Sequence, residues 1–342
     1  MAFLVFLMGK IMLSDKQEYI LLVGGAGYIG SHTNKILFQK GFETIVLDNL
    51  CTGHKEFVKW GKFEFGDIQD KLKMNKIFTQ YKIKAVIHFA GFAYIGESVD
   101  SPAKYYTNNV ANTIHLLNAM LENDVKFLIF SSSSATFGNP EYLPLDEKHP
   151  QNPISPYGTT KLIVEKMLYD YDKSYGLKSV ILRYFNAAGA DPECEIGEFH
   201  DPETHLIPLL LQVAMGKKER FPILGNDYST TDGTCIRDYI HVNDLAEAHV
   251  LSLEWLINNN RSDHFNLGSN QGFSVKEIIK IVESVTGSKI ACDVLNRRKG
   301  DPSILVSSTE KIQKILRWKP KFKIEDMIKT AWNWNHKIID YQ

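Results

Sequence analysis

The run Gly24-Gly25-Ala26-Gly27-Tyr28-Ile29-Gly30 constrains the fold most, because it sits directly after the apolar stretch Ile20–Val23 and directly before a helical pattern. Glycines at G-x-x-G-x-x-G spacing permit a tight strand-to-helix turn and close approach of a pyrophosphate to the backbone. The helix that follows presents free N–H groups to the phosphates. A glycine-rich turn alone is weak evidence. Here the stretch Thr44–Leu47 ends in Asp48, 18 residues past Gly30, near the ~20 expected of an acid that binds ribose hydroxyls. With no Arg directly after it, Asp48 disfavours a 2′-phosphate and points to NAD rather than NADP.

Apolar runs recur at Tyr19–Val23, Thr44–Leu47, Ala85–Phe89, Phe127–Phe130 and Ser179–Leu182, with stretches long enough for crossover helices between them. Such alternation predicts a parallel sheet covered on both faces, an α/β doubly wound architecture of the Rossmann type. Tyr157–Tyr175 reads as a helix, with Pro156 at its start and Val164, Met167, Leu168 and Tyr171 on one stripe. Asn243–Leu256 and Val275–Thr286 also read as helices. Pro192, Pro202, Pro208 and Pro222 predict loops through 191–222, and the domain border is placed near Phe185.

At 342 residues the chain suits two domains. Its 39 Lys plus Arg against 40 Asp plus Glu leave no global field to attract nucleic acid or anionic lipid. Cys51, Cys194, Cys235 and Cys292 form no C-x-x-C pair, so free thiols in a reducing compartment are expected and no metal site is. The apolar stretch Ala2–Met8 is too short to span a bilayer and has no Lys or Arg before it. The chain therefore reads as cytoplasmic, without a membrane partner, and residues 1–17 are set aside as an extension or a mis-assigned start.

Tyr157 and Lys161 lie four apart, on one helix face. A Tyr at its ordinary pKa of ~10 is only ~0.1% ionised at pH 7. A neighbouring ammonium lowers that pKa, as a bound nicotinamide cation would, and makes a phenolate able to take a sugar hydroxyl proton. The pair would be a common accident were it not preceded by Ser131-Ser132-Ser133-Ser134 at a strand's carboxyl end, the side of a parallel sheet that faces a cofactor. At least three of those serines read as polar strand-end residues.

The glycine loop, Leu47–Leu50, Gly66-Asp67-Ile68, His88–Gly91, Gly96-Glu97-Ser98 and Tyr157–Lys161 resemble an extended short-chain dehydrogenase/reductase. Arg183–Asn186, Gly225–Tyr228 with Asp232–Thr234, and Arg237–Val242 narrow the resemblance to the UDP-glucose 4-epimerase family, from about residue 19 to the C-terminus. The resemblance implies NAD as cofactor and a UDP-hexose substrate, with inversion at C4 through a 4-keto sugar. It implies that Gly24, Gly27, Tyr28, Ile29 and Gly30 hold the pyrophosphate, and Asp48, Asn49, Asp67 and Ile68 the adenosine end. Phe89, Ala90, Gly91 and Asn109 would line the cofactor, and Phe185 would abut the nicotinamide. Ser133 matches the catalytic hydroxyl, Tyr157 the base, and Lys161 its partner and a ribose ligand. Asn186, His205, Leu206, Arg237, Arg298 and Asp301 match UDP contacts, the two arginines as diphosphate clamps. Leu305 stands where some members close the sugar pocket with Tyr, and Ala93 where many carry Lys.

The implied partition is an extension over 1–18, an NAD-binding domain over 19–185 plus about 238–268, and a smaller mixed α/β UDP-sugar domain over 186–237 and 269–342. The family also implies a homodimer through helices near Ala103–Leu121 and Tyr157–Tyr175. Among rivals, a 4,6-dehydratase would need an Asp-Glu pair after the catalytic hydroxyl, where this chain has Ser134-Ala135. A UDP-uronate or UDP-N-acetylglucosamine 4-epimerase stays open. A dinucleotide-binding protein without turnover is disfavoured by retention of both Tyr157 and Lys161.

Overall fold

In the computed structural model, which describes residues 17–298 and 301–338, each of the five apolar runs becomes a strand. The proposed N-terminal extension lies almost wholly outside the described residues. The first six strands are β1 (Glu18–Val23), β2 (Thr44–Asp48), β3 (Lys62–Phe65), β4 (Lys82–His88), β5 (Phe127–Ser133) and β6 (Lys178–Tyr184). Seven more follow: β7 (Asn186–Ala188), β8 (Phe221–Leu224), β9 (Ile236–His241), β10 (Asp263–Leu267), β11 (Gly272–Ser274), β12 (Cys292–Leu295) and β13 (Ile304–Leu305).

Seven of them form one parallel sheet in the order β10-β6-β5-β4-β1-β2-β3. The order reverses between β1 and β4, and ligands of doubly wound sheets bind in the crevice at that switch point, outside the carboxyl ends of the strands. Strand interiors such as Leu21, Leu22, Val46, Val86, Ile87 and Ile129 are fully buried, since helices cover both faces. The edge strands β3 and β10 carry charged and polar residues and escape a search for apolar runs.

A second layer has β9 at its centre, parallel to β7 and β13 and antiparallel to β11. A separate parallel pair joins β8 to β12. Ile207, Leu210, Ile278, Val282, Met327 and Ile328 form the core of this layer. The expectation of loops through 191–222 needs correction, because Leu206–Ala214 is a helix and Phe221–Leu224 a strand. Pro208 falls in the helix's first turn, where a missing N–H costs no intrahelical bond. The other expected helices are present as Pro156–Tyr175, Val242–Asn259 and Val275–Thr286. Ser155 caps the first by accepting from Gly158 N, and Gly176 ends it in the left-handed region at φ 70°.

Candidate functional site

The glycine loop turns directly off β1. Gly24 has φ +79°, and a Cβ there would lie 2.5 Å from the Ala90 nitrogen, so only glycine lets the ends of β1 and β4 approach this closely. Phe89 N and Ala90 N both donate to Val23 O, at 2.8 and 3.0 Å. At Gly30 a Cβ would meet Gly24 O at 2.6 Å. The loop therefore packs tightly against the start of helix Tyr28–Gln39, whose first-turn N–H groups have no intrahelical acceptor. This is a cradle that fits a pyrophosphate.

Asp48 is buried at the end of β2. One carboxylate oxygen accepts from Ala26 N at 2.9 Å and the other from Leu50 N at 2.8 Å. Burial raises its pKa, and these two N–H bonds oppose the rise. Asp48 thus fixes the glycine loop, a task its spacing alone did not reveal. Asn49 Nδ2 donates to Asp67 Oδ2 at 2.6 Å, which joins the ends of β2 and β3. Asn49, Cys51, Asp67, Gln69 and Phe92 line an open cavity of about 450 Å³, while Ile68 is buried in the core beneath. A cavity of about 170 Å³ between His54, Phe57, Phe199 and Trp334 shares none of these residues.

Tyr157 and Lys161 are both buried, so they are not a surface pair. Lys161 Nζ donates to Ser131 O at 2.8 Å. A Cβ placed on Gly91 would stand 3.5 Å from that Nζ and 3.3 Å from Asn109 Oδ1, so Gly91, Asn109 and Lys161 converge. Asn109 lies in a π-helical turn, Tyr106–Ala111, and is held by Phe92 N, Phe92 O and Thr160. Phe185, also buried, packs with Phe137 and Leu145 just past β6.

The electrostatics here differ from the sequence expectation of a lowered Tyr pKa. Burial raises the Tyr157 pKa above its ordinary value, with a hydrogen bond from Ser133 opposing, and Lys161 is not among the causes. Burial also lowers Lys161 to about 8, against the pull of the Glu165 charge. Desolvation therefore dominates both groups of the chain itself. Ser131 Oγ pairs with His249 Nε2 at 2.9 Å and Ser132 Oγ donates to Glu165, so both are structural. Ser133 is the serine beside Tyr157.

On the facing layer, Arg237 and Arg298 converge on Asp301: Arg237 pairs with one carboxylate oxygen, and Arg298 reaches the other at 3.3 Å. Arg237 also donates to Pro302 O at 2.7 Å. Arg237 is largely buried and Arg298 half-exposed. Leu305 is paired in register with Arg237 and packs against the Phe185 cluster. Asn186 Nδ2, on β7, donates to Asp238 O, on β9, at 2.8 Å. His205 occupies the N-cap position of the helix that Leu206 begins, without a side-chain capping bond, and its Nδ1 lies 2.8 Å from Glu198.

Sequence reasoning missed three sets of residues. The buried Asp238 carboxylate accepts from Ser269, Asn270 and Ser307 and so fixes β9 against β13. Glu165, one turn past Lys161, binds Arg183 through both oxygens, at 2.7–3.1 Å. Glu198, His200 and Glu203 form a mixed cluster with the already expected His205, beside Tyr28 and Tyr94. Only the last has a compact signature, E-x-H-x-x-E-x-H.

Residues 21–331 match the family model described as GDP-mannose 4,6 dehydratase. A UDP-glucose 4-epimerase of Halalkalibacterium halodurans is 53% identical over 317 residues, 92% of this chain and 95% of that one. The chain belongs to the UDP-glucose 4-epimerase family. Its relatives include a Brucella ovis member solved in complex with NAD, 48% identical with a TM-score of 0.90, covering 92% of this chain and 98% of that one. A Campylobacter jejuni UDP-Glc/GlcNAc 4-epimerase is 40% identical with a TM-score of 0.81, covering 94% and 99%. Family membership and the shared fold agree with the doubly wound sheet and with NAD as the cofactor the glycine cradle fits.

Proposed function

We propose that the chain interconverts UDP-glucose and UDP-galactose by inversion at C4. The observation that carries this reading is the burial of Tyr157, Lys161 and Ser133 together at the carboxyl end of β5, next to the β1–β4 crevice. NAD held in the glycine cradle would supply reversible hydride transfer at C4, so that no net oxidation results. Tyr157 takes the 4-hydroxyl proton and gives it back. Ser133 shares that proton through its hydrogen bond with Tyr157. Because burial holds Tyr157 above its ordinary pKa, the phenolate forms only where positive charge faces it, which couples base strength to cofactor occupancy. Lys161, whose Nζ lies 6.0 Å from the Tyr157 ring centroid, is assigned one such charge by the resemblance, and the nicotinamide cation would supply the other. The other roles are assigned as the resemblance implies. Gly24, Gly27, Tyr28, Ile29 and Gly30 hold the pyrophosphate. Asp48, Asn49, Asp67 and Ile68 serve the adenosine end, and Phe89, Ala90, Gly91, Asn109 and Phe185 line the rest of the cofactor. Arg237 and Arg298 take the substrate diphosphate, with Asn186, His205, Leu206 and Asp301 around the UDP. That anchor leaves the keto sugar free to turn over.

The test is incubation with UDP-galactose and detection of UDP-glucose. Tyr157→Phe should cut turnover by at least ~100-fold, since general acid–base catalysis supplies ~10²–10⁴, while UDP-sugar binding persists. Near-normal turnover would remove Tyr157 as the base. A second reading, acceptance of N-acetylated sugars, is favoured by Leu305 at the pocket-closing position and by likeness to the C. jejuni protein. We also infer a cytoplasmic homodimer. Among the described residues no helix is long and apolar enough to cross a membrane, and Ile114, Tyr169 and Tyr175 are exposed on the two helices the family pairs. Light scattering at the mass of one chain would contradict the dimer.

A further inference from the structure

Glu198, His200, Glu203 and His205 each offer one ligand atom, and the four atoms lie within 4.8 Å of one another. His205 Nδ1 is 2.8 Å from Glu198 and 3.2 Å from Glu203, and His200 Nδ1 is 3.4 and 3.8 Å from the same two residues. A tetrahedral zinc site with ligands about 2.0–2.2 Å from its centre has edges of ~3.3–3.6 Å. The nitrogen-to-oxygen distances, 2.8 to 3.8 Å, span that length, with Glu203 facing the two histidines through different oxygens. The Nδ1 of His200 is buried and, at 3.4 Å from Glu198, makes no hydrogen bond of acceptable geometry.

The charges argue the same way. The Glu198 and Glu203 side chains are each only 6% exposed, and among the described residues no Lys or Arg pairs with either. Two buried carboxylates without a fixed cation are costly unless compensated. The contrast lies a few residues earlier, where Asp191, Glu193 and Glu195 also cluster but Lys35 Nζ stands among them at 2.6–2.9 Å. A single divalent cation would balance the two carboxylate charges, and it would give His200 Nδ1 a partner.

We propose that Glu198, His200, Glu203 and His205 form a tetrahedral binding site for a divalent transition-metal cation of the Zn²⁺ type. Two imidazole nitrogens and two carboxylate oxygens are a donor set that Zn²⁺ accepts, whereas Mg²⁺ and Ca²⁺ take oxygen ligands. With all four positions filled by protein the site is structural, because a catalytic zinc keeps one position open. It fixes residues 198–205 at the start of helix Leu206–Ala214, against the Tyr28 and Tyr94 rings. The half-exposed His205 gives the ion its way in. The epimerisation chemistry itself uses no metal.

The test uses the full chain stripped with EDTA and titrated with Co²⁺ alone, then with Zn²⁺. The expected result is one equivalent of Co²⁺ with the intense visible bands of tetrahedral geometry, no near-ultraviolet thiolate band from the free cysteines, and displacement by Zn²⁺. His200→Gln and Glu203→Gln should each weaken binding by more than the ~10–100-fold typical of outer-sphere changes, in protein shown folded by circular dichroism. In wild type, EDTA should lower Tm and Zn²⁺ restore it. A pale six-coordinate spectrum, the lack of saturable one-equivalent binding, or unchanged binding in both variants would overturn the site. His205 also belongs to the proposed substrate side, so the readouts are spectra and Tm. Metal bound without epimerase activity would leave this site standing and sink the functional reading, and the reverse pattern would do the opposite.

Discussion

Glu165 links the stability of the fold to the chemistry of the site. Its carboxylate is 5% exposed, faces the 7%-exposed Arg183, and takes further hydrogen bonds from Ser132 and Gln151. It is also the group whose charge opposes the fall in the Lys161 pKa. Glu165→Gln keeps the shape and removes the charge. Arg183, which cannot shed its proton, is then left buried beside a neutral amide. Removing one partner of a buried pair costs ~3–5 kcal/mol, or roughly a 150- to 4,000-fold drop in the folded-to-unfolded ratio. With the opposing charge gone, burial should carry Lys161 further below about 8. Urea denaturation followed by tryptophan fluorescence measures the first effect, and the pH profile of kcat/KM the second. The alkaline limb should move to lower pH in the variant, because the ammonium is lost earlier. Replacing Glu165 and Arg183 together by Met should recover most of the stability, since no charge is then left unpaired. A loss below about 1 kcal/mol together with an unmoved alkaline limb would refute the coupling.

Lys161→Met should abolish turnover yet stabilise the protein at pH 7. The fall from 10.5 to about 8 is a burial cost of roughly 3 kcal/mol, offset in part by the bond to Ser131 O. Between pH 8 and 10.5 the folded chain binds fewer protons than the unfolded chain, so wild-type stability rises with pH there and the variant's advantage shrinks, as denaturation at pH 7 and pH 10 would show. Asp48→Ala should weaken NAD and narrow its preference over NADP. It should also lower Tm, because the bonds to Ala26 N and Leu50 N go too. An unchanged cofactor ratio with a lowered Tm would make Asp48 purely a loop anchor. Leu305→Tyr should reduce kcat/KM for UDP-N-acetylglucosamine relative to UDP-glucose by about one to two decades, the worth of an overfilled pocket. A constant ratio would place the gate elsewhere.

The parts of this fold legible in the sequence are those written locally. The glycine loop, Asp48 and the Tyr157–Lys161 pair each depend on residues close in the chain, and the structure brings them to the carboxyl ends of neighbouring strands. Strands β3 and β10 stayed hidden because edge strands mix charge with apolar residues. The helix Leu206–Ala214 stayed hidden behind Pro208, which falls in its first turn because the backbone is extended at His205 and helical from Leu206. Asp238 and Glu165 were out of reach for another reason. Their partners lie up to 69 and 33 residues away, and neither periodicity nor spacing encodes such a bond. Burial also reversed an electrostatic expectation: proximity to Lys161 was expected to lower the Tyr157 pKa, but desolvation of both groups prevails in the chain alone.

The central claim is that one buried base and one bound dinucleotide invert C4 with no outside reductant. UDP-galactose carrying deuterium at C4, incubated with the protein as purified and without added NAD, tests it most directly. The account predicts UDP-glucose that keeps the deuterium at C4. Product with that label exchanged for solvent hydrogen, or no product from protein that has retained its NAD, would contradict it.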